Sequence, residues 1–400
     1  MQEDFHYYAT YCAAYIAGYS HEESLAICWS AQFVDMCSAT FLQKISGPAE
    51  AATTQLQLEM MDARSDKIGR QDITRIWASF HFLPYDLYAD VKRGGRSYRK
   101  KYRMICKPNG SLVADTVKLA GDNSLQAVGI AMHVLADTWA HQNFAGTPSL
   151  VINDTNYYFY ELLPVKRQGS PDDPAESTAY EEREIRFRHS LTAPDDPENG
   201  IYTNTLHHDS EHSIMNLGHG RAGHLPDYSF ARYKYMPAWG DYEEVIKDNP
   251  SDYYQAFCQI IYAMKYLRGV YPDFETAHYD TEAVSAWEDE IRQIIGTRRL
   301  SAAEAWKAFG EKLSGCPIDD FDLEKYTAEY TGAPIEEREE TFLGRFFDAA
   351  IAQKRMVTYQ IYSSGNDLAG RSLAFHLRWY QRIPGLRTSA KKHKGEQRDE

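Results

Sequence analysis

Residues 124–144 are apolar on nearly every side, which predicts a helix buried in the middle of a domain, yet His133, Asp137 and His141 lie inside that run. Their spacing of i, i+4 and i+8 sets each one turn above the last on a single face, among Val134, Leu135, Ala136, Trp139 and Phe144. An ionised carboxylate buried alone costs several kcal/mol, so the fold has to pair Asp137 or give it a metal ion. Two imidazoles flanking a carboxylate suit a borderline cation such as zinc. The other reading is a core network in which Asp137 hydrogen-bonds one of the histidines.

Polar residues break the expected pattern at three further places. His6 lies on a first expected helix, residues 4–17, beside Thr10, Ala13 and Ala17, a face of small residues with room for a ligand. Asp35 interrupts the apolar stripe of a second helix, which starts with a capping box at Ser20 and Glu23 and is expected to run to Gly47-Pro48. His81 sits at a helix end within Phe80-His81-Phe82-Leu83-Pro84. A glycine-bounded stretch, Gly218-His219-Gly220-Arg221-Ala222-Gly223-His224-Leu225-Pro226-Asp227, then presents two histidines and a carboxylate from a non-helical loop. One shared metal cluster explains these separated anomalies more economically than an independent structural reason for each.

The 400 residues read mainly as helices, which predicts a mainly all-α fold: one large helical domain, residues 1–385, with a buried metal-binding central helix and irregular insertions. Further helices are expected at 50–78, 203–217, 242–270, 279–296, 301–313, 337–363 and 367–380, with a short strand pair in 150–164. Residues 92–103 read as a solvated basic loop or hairpin, 168–200 as an acidic surface insertion, and 386–400 as a basic, disordered tail. The net charge of −14, from 57 acidic and 43 basic residues, argues against a protein that coats nucleic acid. Six cysteines without a CxxC pair do not make a disulfide framework. No apolar run reaches the ~18 residues of a membrane helix, and Met1-Gln2-Glu3-Asp4 is acidic where a signal peptide is basic, so a reduced, cytoplasmic protein is expected, or a secreted one if a leader was removed. No P-loop, GxGxxG or GxSxG motif is present.

Asp4-Phe5-His6-Tyr7-Tyr8, Ala31-Gln32-Phe33-Val34-Asp35, the Phe80–Pro84 motif, the run from His133 to Gln142 and the glycine-bounded loop together resemble an uncharacterised bacterial family of unknown function, over about residues 4–235. That family is distantly similar to the zinc-dependent phospholipases C and fungal zinc nucleases, all-α hydrolases that cleave phosphoesters with three zinc ions. The ligand order of that superfamily is an early His, an Asp on the next helix, a His, and then His-x-x-x-Asp. His6, Asp35, His81, His133 and Asp137 match it. His141 stands for the next His at a shorter gap, and His219 or His224 with Asp227 close the set at altered spacing. The superfamily also uses the free N-terminal amine of a mature, secreted chain as a ligand.

The resemblance implies a hydrolase with two or three zinc ions, iron or manganese being the other candidates, acting on a small phosphoester, with Asp137 bridging two metals as the catalytic carboxylate. Two cations on one water bring its pKa toward neutrality, which makes the nucleophile, and Thr10 and Thr138 are candidates to orient the histidines. Two other readings compete. His207-His208-Asp209 could mark an HD-type phosphohydrolase. Alternatively, a non-catalytic helical protein could keep a structural metal or polar core and bind a partner through a surface rich in its 29 tyrosines, with 156–160 as the densest cluster, unless those rings are half-buried packing.

Overall fold

A computed structural model describes residues 1–370 except 65, 92–93, 122, 157, 166–178, 190–192, 241–242 and 321. The expected tail, most of the expected helix at 367–380 and part of the acidic insertion lie outside the described residues. The fold is predominantly helical but not purely so. Four strands, β1 (Tyr160–Pro164), β2 (Tyr180–Glu184), β5 (Arg232–Tyr235) and β6 (Val245–Asp248), form an antiparallel sheet in the order β2-β1-β5-β6. Two short strands, β3 (Arg186–Arg188) and β4 (Ile201–Thr203), pair in parallel. Among the described residues no helix is long and apolar enough to cross a membrane.

The central helix, Leu125–Ala140, is buried from Gln126 to its end. It stops before Gly146 because Asn143 takes a left-handed φ of +78° and its N–H bonds Cys106 O, while Lys247 Nζ donates to Trp139 O at the helix C-terminus. Helices His21–Phe33, Asn249–Leu267 and Phe342–Ser363 pack around it. His21–Phe33 crosses it so closely that a Cβ on Gly129 would stand 2.4 Å from Ile27 O and 2.5 Å from Ser30 Cβ. Glycine is there for contact between backbones, not for a turn.

Several expected boundaries move, each for a local reason. The second helix ends at Phe33 rather than at Gly47, because Ser38 caps a separate helix, Ala39–Lys44, by accepting from Phe41 N. Asp35 therefore lies in the turn between the two, not on a helix. The stretch 203–217 forms no α-helix, only a single 3-10 turn at Ile214–Asn216: Asn216 accepts from His208 N and donates to His208 O and Ser210 O, folding the rest into a loop. Residues 50–78 divide into Gln57–Ala63 and Lys67–Phe80. In the segment expected to open the helix at 242, Val245–Asp248 form β6, and the helix starts only after Asp248 caps it with Pro250 in the first turn. The helical part of 279–296 begins with a 3-10 segment, Glu282–Trp287, and 337–341 precede the helix capped by Thr341. The basic stretch holds a helix, Arg96–Tyr102. Leu323–Gly332 is a helix the sequence pattern did not mark. Among the described residues of 150–164 one strand forms, β1, and its partner β2 comes from the segment expected to be an acidic excursion.

Two apolar cores result. One is the helical bundle. The other is aromatic, built on the alternating inward residues Tyr233 and Tyr235 of β5 with Phe82, Phe144, Phe159 and Tyr202. Most of the tyrosines named here are thus packing residues, while Tyr158 is 58% exposed. The two cores meet at the C-terminal end of the central helix.

Gly129→Ala is expected to cost about 1–3 kcal/mol, since the added methyl meets backbone rather than a movable side chain. Urea unfolding checks this as a lower midpoint at unchanged slope.

Candidate metal centre

The seam between the two cores holds a cluster of imidazoles and carboxylates. Asp137, 1% exposed, is its hub. Its Oδ1 lies 3.1 Å from His6 Nε2, and its Oδ2 lies 3.2 Å from His81 Nδ1 and 3.2 Å from His133 Nε2. Asp35 reaches in from its turn to 3.8 Å from His81 Nδ1 and 3.9 Å from His133 Nε2. On the far side, His141 Nε2 is 3.3 Å from Asp227 Oδ1, and Asp227 Oδ2 is 3.8 Å from His219 Nε2 and 3.2 Å from His224 Nδ1. Three groups emerge, the first two sharing His133: His6, His133 and Asp137; Asp35, His81 and His133; His141, His219 and Asp227. His224 belongs to none of them and points outward, its side chain 55% exposed beside Asp227.

Each position follows from local structure. His6 lies in a π-helical turn, Asp4–Ala9, which leads into the helix Thr10–Ile16. His81 caps the C-terminus of Lys67–Phe80, and His141 caps that of the central helix. Gly223, at φ +60°, with its Cβ position 2.0 Å from Thr203 O, folds the loop that carries His219, His224 and Asp227. Four of the histidines are oriented by main-chain carbonyls. His81 Nε2 donates to Thr53 O (3.1 Å), His133 Nδ1 to Ala31 O (2.9 Å), His141 Nδ1 to His81 O (2.7 Å) and His219 Nδ1 to Gly223 O (2.8 Å). Thr10 and Thr138 do not orient any of them: the Thr10 hydroxyl donates to Phe5 O in the preceding π-turn and the Thr138 hydroxyl to Leu135 O in its own helix.

These carbonyls decide which ring nitrogen carries the proton. In the neutral tautomers so fixed, His81 Nδ1 and His133 Nε2 face each other as bare lone pairs 3.4 Å apart, with Asp137 Oδ2 against both. Three acceptors converge without a donor. His6 stacks on His133 with ring centroids 3.8 Å apart; its buried Nδ1 has no hydrogen-bond partner, and its Nε2 meets only Asp137 Oδ1. Two ligands of one tetrahedral zinc ion stand about 3.4 Å apart, the scale of these separations. The donor set and its spacing therefore fit a cation of zinc type.

The amino group of Met1 completes the cluster, and nothing in the pattern of side chains marks it. It is fully buried and donates to Asp137 Oδ1 at 2.6 Å, with His141 Nε2 at 3.3 Å and Asp227 Oδ1 at 3.5 Å. The one pointer to it in the sequence is the resemblance to the zinc superfamily, which uses an N-terminal amine as a ligand. Burial lowers the pKa of this amine, but Asp137 and Asp227 outweigh it and raise it to about 10. Burial likewise pushes Asp137 up, and the groups gathered on it, His141, the Met1 ammonium, His133 and His6, outweigh burial and hold the carboxyl well below the usual range. Burial, with His133 and the Met1 amine beside it, takes His6 down to about 4, and burial takes His219 down to about 4 against the pull of Asp227.

His207-His208-Asp209 lies apart from these groups, on the loop folded by Asn216. His207 pairs with Asp154 at 3.1 Å. The helical His-Asp pair of an HD-type site is not formed. The six cysteines are free thiols.

A buried cluster of carbonyl-anchored histidines and shared carboxylates at a helix end defines a predominantly helical protein with a candidate polynuclear metal centre. The chain belongs to the family of unknown function DUF6765, whose model matches residues 1–361. No match was found among curated proteins or among solved structures.

The metal-free protein is expected to be most stable between about pH 6.5 and 8. Below the ordinary histidine value of 6.5, the unfolded chain takes up protons that buried His6 and His219 refuse until about pH 4, so stability falls across that window. Above the ordinary amine value of 8.0, the unfolded chain releases a proton that the native Met1 amine keeps to about pH 10, so stability falls there too. Urea midpoints measured against pH in EDTA check both arms.

Proposed function

We propose that the protein is a metal-dependent hydrolase that cleaves a small phosphoester at this cluster, with zinc as the first candidate ion and two or three ions per chain. The observation that carries the reading is the convergence of acceptors on Asp137, where carbonyl-fixed imidazoles aim lone pairs at one shared carboxylate with no protein donor between His81 and His133. The distant similarity to the zinc phospholipases C and nucleases, whose ligand order His6, Asp35, His81, His133 and Asp137 follow, supports the same chemistry.

A divalent ion supplies Lewis acidity and a water acidified toward neutrality. The residues of the chain do the rest. Asp137 presents one oxygen to each side of the cluster, so it is the natural bridge between two ions. His81, His133, His141 and His219 cannot rotate without giving up a carbonyl bond, so the sites are held in advance. The Met1 amine joins the His141 and Asp227 side as a ligand when deprotonated and as an ammonium donor when not. Asp35, with its side chain 34% exposed, and the outward His224 mark the sides on which a small substrate can approach.

A purely structural metal is the second reading, favoured by the enclosure of His6, His133 and Asp137, all 0–1% exposed. Catalytic ions keep an open position, and structural ones are closed by protein. The experiment that separates the readings is elemental analysis of untagged protein followed by a panel of small phosphomono- and phosphodiesters. Two or three equivalents of divalent metal and turnover of at least one ester are expected. Metal content should fall in His133→Ala and Asp137→Asn, with turnover down roughly 100-fold or more in Asp137→Asn, and both should be unchanged in Asp209→Ala. Folded protein without metal overturns both metal readings. Metal without cleavage leaves the structural one.

A further inference from the structure

A cavity of about 600 Å³ lies between the helices Lys67–Phe80 and Phe342–Ser363, and none of the cluster residues lines it. Ala39, Ala52, Ile76 and Ile351 give it apolar walls. Its size is that of a small-molecule site. Lys354 and Thr358 line it from one helix face, four residues apart.

Acidic and basic side chains around it are equal in number but unevenly paired. The lining carboxylates are all engaged: Glu50 by Arg355 at 2.7 Å, Asp72 by Arg75 at 2.6 Å, and Glu59 by the N–H groups of Thr40 and Leu56. Lys354 has no such partner. Among the described residues no carboxylate lies within 4 Å of its ammonium, whose one hydrogen bond is to Ala52 O at 2.7 Å. Beside it the Thr358 hydroxyl, in a residue only 4% exposed, has no hydrogen-bond partner, and neither does Gln55 Oε1. A desolvated cation resting on a single carbonyl is costly, and an anion next to it removes the cost.

We propose that this cavity binds a small organic anion with an apolar body, its carboxylate or phosphate taken by Lys354 Nζ and Thr358 Oγ1 and its hydrocarbon packed on the alanine and isoleucine walls. Burial pushes the Lys354 ammonium down to about 8, and an anion in contact pushes it back up. The site is independent of the hydrolase reading, but it abuts the cluster: Ala52 O serves Lys354, and the next carbonyl, Thr53 O, serves His81.

Isothermal titration of the full chain in EDTA with octanoate, octyl phosphate and octanol tests it. Both anions are expected to bind with sub-millimolar Kd and octanol at least ~10-fold more weakly. Lys354→Met should weaken the anions by ~10-fold or more, Lys354→Arg should keep most of the affinity, and Thr358→Val should lose part of it. Asp137→Asn should bind both anions as the parent does, which separates this cavity from the cluster. Thermal melting of each variant establishes that it is folded. Equal anion binding by folded Lys354→Met, equal binding of octanol, no anion binding up to ~10 mM, or loss in Asp137→Asn overturns the proposal.

Discussion

The fold is organised around one carboxylate that cannot be left alone. Asp137 sits in the most enclosed part of the most enclosed helix, where an unpaired charge costs several kcal/mol. The chain meets that cost by bringing two distant segments to it, the N-terminus with the Met1 amine and the π-turn of His6, and the helix end of His81, and by setting His133 one turn away on its own helix. The close crossing at Gly129 belongs to the same solution. The helix that approaches there carries Ala31, whose carbonyl fixes His133. Packing and electrostatics at this point are one constraint.

The second constraint is the seam. His141 stacks on Phe82 with ring centroids 4.7 Å apart, and Phe82 belongs to the aromatic core. The sheet and its loops therefore close the Asp227 side of the cluster, while the helical bundle closes the Asp137 side. Lys247 on β6 ties the two together: 3% exposed, it bonds Trp139 O at the end of the central helix and Asp252 at 2.5 Å. Had the fold been helices alone, His219, His224 and Asp227 would have had no rigid support opposite His141.

What could be read from the residues and what could not divide along physical lines. The i, i+4, i+8 spacing of His133, Asp137 and His141 is a property of any helix, so their shared face was legible, and the cost of burying Asp137 made the partners worth seeking. His6, Asp35 and His81 were legible only as misfits within apolar patterns, and the structure brings all three to Asp137 or its neighbours. Boundaries failed where a short side chain competed with the helix: Ser38 restarting it, Asn143 stopping it in a left-handed turn, Asn216 replacing it with a loop. The sheet was underestimated because β1 and β2 are separated by a long polar insertion, so their pairing leaves no short-range turn signal. The Met1 amine carries no residue-type signal at all, because a terminal amine is chemically the same whatever side chain it bears.

Charge decides what such a centre could accept. Asp35, Asp137 and Asp227 bring three negative charges to a cluster on a chain already at −14, a field that repels phosphate. Under the proposed function two divalent ions reverse the sign locally, and the Met1 amine adds to the reversal as long as it stays protonated. Anion binding at the cluster thus requires the ions, whereas the Lys354 cavity offers a cation of its own. The two sites therefore differ in the one respect a chelator can expose: an anion that still binds in EDTA and ignores Asp137 can be held only where the protein supplies the positive charge itself.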